Sequence, residues 1–167
     1  MMSMRNRRRP LACASLQPPE QLVGLGFRGW IAGYHTGDIG CWERVWRIYS
    51  DALGDGDAGL AVGELSAWAR AVMAAARRPV QVASGDGCRF CRDECLAISM
   101  VAASQANTCP AMRACAFALI ESSLIDEVLH YTESFALTLR AADQIVSPGW
   151  IVNANALIEP GASGRRH

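Results

Sequence analysis

The sequence predicts an all-α protein, folded as a compact bundle of about five to six helices with disordered N- and C-terminal tails. Apolar residues recur at helical spacing in several segments. Prolines, glycines and capping residues stand where those segments begin and end, and no segment alternates strictly between apolar and polar residues as a half-buried strand does. Because 51% of the 167 residues are hydrophobic, we expect one globular domain with a full core.

The predicted helical domain covers residues 18–147, between a disordered basic tail at 1–17 and a flexible tail at 148–167. Within the domain we expect helices at about 19–34, 38–53, 58–77, 86–105, 110–121 and 123–146.

The first three helices are delimited by turn-forming residues. Pro19 suits the first turn of a helix, where a missing N–H costs nothing. Asp38 is a good N-cap for the second helix, and Gly54 is a good C-cap. Asp55-Gly56-Asp57 then predicts a turn, and Pro79 ends the third helix.

The last three helices follow the same logic. The fourth is expected to begin between Asp86 and Cys88, and Pro110 opens the fifth. Ser123 followed by Asp126 resembles a capping box and opens the sixth, which Pro148 terminates.

Charge and hydropathy limit the classes of partner that the chain is expected to bind. Sixteen basic and sixteen acidic residues give a formal net charge of zero, so the chain has no long-range field that would attract nucleic acid or an anionic membrane. No apolar run approaches the ~20 residues that cross a bilayer. We therefore expect neither nucleic acid nor membrane as a partner. A protein partner or a homodimer is the expected interaction, through the aromatic face of the first two helices.

All 16 of the lysine and arginine residues counted in the sequence are arginines, and there is no lysine. The absence of lysine excludes a Schiff-base lysine, a pyridoxal-phosphate anchor and the lysine of a phosphate-binding loop. An enzyme is therefore not the favoured class.

Seven cysteines are an odd number, and no secretory signal precedes them, because the apolar stretch at 10–16 is too short. Reduced thiols or metal ligands are expected rather than a disulfide framework, and the expected compartment is the cytoplasm.

The most specific pattern is the run of three cysteines at Cys88, Cys91 and Cys95. If a helix covers the run, Cys91 and Cys95 lie one turn apart on one face, with β-carbons about 5–6 Å apart. Three such thiolates can bind one soft metal, either zinc or the iron of an iron–sulfur cluster. The helix N-terminus, Arg89 and Arg92 are expected to favour thiolate over thiol.

A fourth metal ligand has several candidates. Cys109 stands at the start of the next helix and Cys41 on the second helix, while His35 or His130 could replace either of them. The alternative is that the cysteines are small buried residues or redox-responsive thiols, and a catalytic thiol is a third possibility.

Two glycine-rich stretches, 24–29 and 54–59, match the dinucleotide-binding fingerprint letter by letter. That fingerprint requires a preceding strand within a βαβ unit, which the sequence does not predict, so no nucleotide cofactor is expected. The function expected from the sequence is a non-enzymatic regulator, sensor or accessory factor with a cysteine-ligated metal. The alternative is a metal-free helical interaction module.

Overall fold

A computed structural model describes residues 18–85, 87 and 89–151 of the chain. The elements are α1 (Pro19–Thr36), α2 (Ile39–Leu53), α3 (Asp55–Ala75), α4 (Arg92–Gln105), α5 (Cys109–Ile120) and α6 (Asp126–Ala141). The part of the chain that the structure describes contains no strand, which confirms the predicted all-α class. The predicted N-terminal tail at 1–17, residues 152–167 of the predicted C-terminal tail at 148–167, and Cys88 lie outside the described residues.

Helices α1 and α2 form an antiparallel hairpin whose ends match the sequence signals. Gly37 leaves α1 with a left-handed backbone (φ 74°), and the Asp38 side chain accepts a hydrogen bond of 2.9 Å from the Gly40 N–H. Gly33 faces the indole of Trp42, and a β-carbon at this position would overlap the indole. The glycines that weaken α1 as an isolated helix therefore let α2 pack closely against it.

Helix α3 begins at Asp55 rather than at 58, so the prediction of a turn at Asp55–Asp57 was wrong. Asp55 and Asp57 instead lie in the first turn, where carboxylates favour the positive end of the helix dipole. At the centre of the core the Trp68 ring lies between Phe27 and Phe135, with ring centroids 5.4 and 5.2 Å away. This contact joins α1, α3 and α6.

Helix α6 is shorter than the sequence predicts. It begins at Asp126, not at 123, and no capping hydrogen bond forms at its N-terminus. It ends at Ala141 because Gln105 holds the following residues in an irregular path. The Gln105 amide donates to the carbonyls of Ala136 and Gln144, and its oxygen accepts from the Val146 N–H at 2.7 Å.

The folded part of the chain continues past the predicted boundary at 147. Residues 149–151 form a helical turn, in which Trp150 and Ile151 pack against the core. The Trp150 ring meets the Phe90 ring edge-on at 6.2 Å. The C-terminal turn therefore lies beside the segment that precedes α4.

Candidate functional site

Two of the predicted ligands, Cys91 and Cys95, lie at the N-terminus of α4. The helix begins at Arg92 with Cys91 as its N-cap, so the prediction that it begins at 86–88 was wrong. The Glu94 carboxylate turns back to accept the Cys91 N–H at 3.0 Å. Because the Cys91 sulfur in turn faces the Glu94 N–H, the two residues form a capping box with sulfur in place of a hydroxyl.

The irregular segment before α4 is held by Arg28 of α1, which is only 5% exposed. All five guanidinium N–H donors have acceptors. Nε and Nη2 donate to Glu94 at 2.8 and 3.0 Å. The others reach the backbone carbonyls of Gly85, Gly87 and Arg89 at 3.1, 2.8 and 2.8 Å. The segment therefore wraps around one buried cation, which is the fixed donor geometry that arginine supplies.

Glu94 is fully buried, and its carboxylate oxygens, like the N–H donors of Arg28, all have hydrogen-bond partners. Besides the two bonds from Arg28, its carboxylate accepts the Ala83 N–H at 2.9 Å and the Cys91 N–H. Both of its oxygens therefore have two donors each. The carboxylate is fully used in holding the backbone on both sides of the cysteines.

A second buried carboxylate, Asp93, fixes the start of the same segment. Arg78 donates to it through both terminal nitrogens at 3.0 and 2.7 Å, and the Gln81 N–H donates at 2.8 Å. Together the two ion pairs hold the described residues of the segment before α4, at 78–85, 87 and 89–91, against α1 and α4. We call residues 85–95, of which 86 and 88 are not described, the cysteine segment.

Phe90 anchors the middle of the cysteine segment. Its ring fills the space left by the missing side chain of Gly24, and the Arg28 guanidinium lies 5.4 Å from its centroid. Trp150 covers it from the C-terminal turn. The residue next to Cys91 is thus held by two separate parts of the chain, helix α1 and the C-terminal turn.

The two thiols that the structure describes in the cysteine segment, Cys91 and Cys95, are half-buried and lie near backbone carbonyls. Cys91 Sγ lies 3.4 Å from the Gln81 oxygen, and Cys95 Sγ lies 3.8 Å from the Phe90 oxygen. Burial raises the pKa of both thiols above the ordinary value, although backbone N–H groups at Glu94 and Asp93 partly offset this rise in the pKa of Cys91. The expectation that the helix N-terminus and the arginines favour thiolate was therefore wrong for the protein without metal.

The remaining predicted ligands lie elsewhere. Cys109 is exposed in the first turn of α5, beyond the C-terminal end of α4, whose 14 residues span about 20 Å. Cys41 is in the first turn of α2, with its carbonyl against Gly29. His35 lies in the last turn of α1, and His130 lies exposed on α6. Within 18–151, excluding 86 and 88, no three His, Cys, Asp or Glu side chains form a group that could hold a metal ion.

Sequence reasoning missed the two ion pairs that build this site. Arg28 follows Phe27 in an apolar helix with many glycines, and an arginine buried in such a helix needs a carboxylate partner. Asp93 and Glu94 also stand side by side in a segment rich in apolar residues. Those two signals were present, but their pairing depends on contacts 66 and 15 residues apart along the chain.

No family model matches the chain, and no curated protein or solved structure is significantly similar to it. None of the helices within the described ranges is long and apolar enough to cross a membrane.

Proposed function

We propose that this chain is a non-enzymatic metal-binding protein, in which Cys88, Cys91 and Cys95 hold a zinc ion or an iron–sulfur cluster. The observation that carries this proposal is the buried clamp of Arg28 and Glu94 around the cysteine segment. With this metal bound, the protein acts as a regulator, sensor or accessory factor. The compartment we propose is the reducing cytoplasm.

The clamp supports the proposal because of its energetic cost. A buried ion pair rarely stabilises a fold more than well-packed apolar side chains would, since both charges lose their hydration. What the clamp does supply is one defined path for an irregular segment, through seven hydrogen bonds made by Arg28 and Glu94, two of which join these side chains to each other. That path sets Cys91 and Cys95 one helical turn apart. A defined backbone is what a metal site requires of its ligands.

The chemistry of the thiols sets conditions on the metal. Because burial raises the pKa of Cys91 and Cys95, both are protonated at neutral pH until a cation displaces the protons. Soft thiolate ligands select zinc, copper(I) or iron–sulfur clusters over magnesium and calcium. Metal affinity at this site therefore increases steeply with pH.

The carboxylates beside the thiols are not free to complete the ligand set. Asp93 and Glu94 are fully engaged with Arg78 and Arg28. Cys41 and Cys109, with which the sequence could complete the set, lie on other parts of the bundle. We therefore propose three thiolate ligands from the cysteine segment, with the fourth supplied from outside the described residues.

The test is metal analysis and a visible spectrum of the full chain purified without oxygen. We expect about one zinc or one cluster per chain, as a stoichiometric site requires. The double variant C91S/C95S loses the metal, while C109S, which alters an exposed thiol at the other end of α4, keeps it. Metal below roughly 0.3 per chain in the wild-type protein, without a sulfur-to-metal band, refutes the proposal.

The second candidate is a metal-free helical interaction module. The exposed apolar side chains of α2, Ile39 and Trp46, favour it. In that case C91S/C95S leaves thermal stability and self-association unchanged, and the wild-type protein contains no metal. A loss of several kcal/mol in the same variant contradicts the module, because structural metal sites supply much of the folding free energy of their domains.

A further inference from the structure

The outward face of α2 carries two exposed apolar side chains, Ile39 and Trp46, that no element of the described fold covers. Ile39 is 61% exposed and Trp46 is 41% exposed. They stand seven residues apart, and therefore on one face of the helix, with Glu43 and Ser50 completing the i, i+4, i+7, i+11 pattern. An exposed tryptophan on a helix face is typical of the centre of a protein interface.

The charges on and beside this face of α2 complement one another. Glu43, Arg44 and Arg47 are all exposed, and within the described residues none of them has an ion-pair partner within 4 Å. The acid precedes Arg47 by one turn. A helix with this order of charges matches a second copy of itself when the two copies run in opposite directions.

We propose that a second copy of this chain packs antiparallel on α2, about a twofold axis at the level of Val45. In this register Glu43 of each copy lies opposite Arg47 of the other, which gives two equivalent ion pairs. Trp46 of the two copies meet beside the axis, where they bury their exposed ring surface. A parallel pairing is disfavoured because it sets Glu43 against Glu43 and Arg47 against Arg47.

This interface is isologous, so each surface residue is used twice. It is independent of the proposed metal, because α2 makes no part of the clamp around the cysteine segment. Loss of metal binding in the cysteine variants therefore leaves the dimer intact, and loss of the dimer leaves the metal in place.

The test is a charge exchange followed by light scattering and sedimentation at several concentrations. We expect the wild-type chain to form a dimer. E43R and R47E each replace two attractions with two repulsions, and we expect each to raise the dimer dissociation constant by roughly tenfold or more. An equimolar mixture of the two variants restores the dimer, because every facing pair is again of opposite charge.

The matched control is E133R, which makes the same charge change on an exposed position of α6 and leaves the dimer unchanged. Circular dichroism verifies that each variant is folded, and recovery in the mixture requires folded chains. The proposal is overturned if the wild-type chain is a monomer at every concentration, if the single variants dimerise like the wild type, or if the mixture stays monomeric. The proposal is also overturned if the chain is a monomer that binds a helix of another protein through this face.

Discussion

Replacing Glu94 with glutamine perturbs the clamp while keeping the shape of the side chain. The carboxylate accepts four hydrogen bonds, two from Arg28 and two from the backbone at Ala83 and Cys91. In the variant, the amide NH₂ that replaces one oxygen faces two of these donors, one from Arg28 and one from the backbone, and the buried guanidinium loses its counter-charge. Removing one partner of a buried ion pair costs about 3–5 kcal/mol. For a chain of this length, that loss lowers Tm by roughly 6–20 °C.

The assay is urea unfolding followed by circular dichroism, with E121Q as the matched control. Glu121 makes an ion pair with Arg78 at 3.3 Å but is 57% exposed, so the same substitution there costs at most about 1 kcal/mol. Combining E94Q with R28M completes a double-mutant cycle, and we expect a coupling energy of about 2–3 kcal/mol. A cost below about 1 kcal/mol for E94Q, equal to that of E121Q, refutes the account of the clamp.

Two further predictions concern packing and the thiols. G24A destabilises the protein by about 1–3 kcal/mol, because the new methyl overlaps the Phe90 ring. The control G63A, where a new methyl has nothing within 4 Å, stabilises α3 by up to about 1 kcal/mol. Equal effects of the two variants in thermal unfolding would contradict the packing at Gly24. Because burial raises the pKa of Cys91 and Cys95, the free energy of unfolding of the metal-free protein is undiminished below the ordinary thiol pKa of about 8.5 and falls as pH rises above it. C91S/C95S flattens this fall, and a thiolate absorbance already present at pH 7 would show that the sign is wrong.

The accuracy of the predicted helix bounds follows the range of the interactions that set them. The limits of α2 were predicted well, because the Asp38 cap and Gly54 act within one turn of the residues they terminate. The start of α4 was wrong, because the Glu94 carboxylate that caps it is oriented by Arg28 from a different helix. The end of α6 was wrong for the same reason, since Gln105 binds the chain after Ala141.

The candidate site was only partly visible in the sequence. The spacing of Cys91 and Cys95 placed them one turn apart, and the structure has them so. The sequence could not reveal that both thiols are buried enough to raise their pKa, because that burial depends on the contacts they make with Gln81 and Phe90. Nor could it indicate the glycine of α1 that receives Phe90. Cys88 stays a prediction, since it lies outside the described residues.

X-ray absorption at the zinc or iron edge of the anaerobically purified chain tests the metal proposal most directly, because it counts the sulfur ligands. The account predicts at least three sulfur neighbours at about 2.3 Å for zinc. In C91S/C95S the absorption edge signal falls with the metal content. A bound metal surrounded only by nitrogen and oxygen at about 2.0–2.1 Å, or no bound metal, would contradict it.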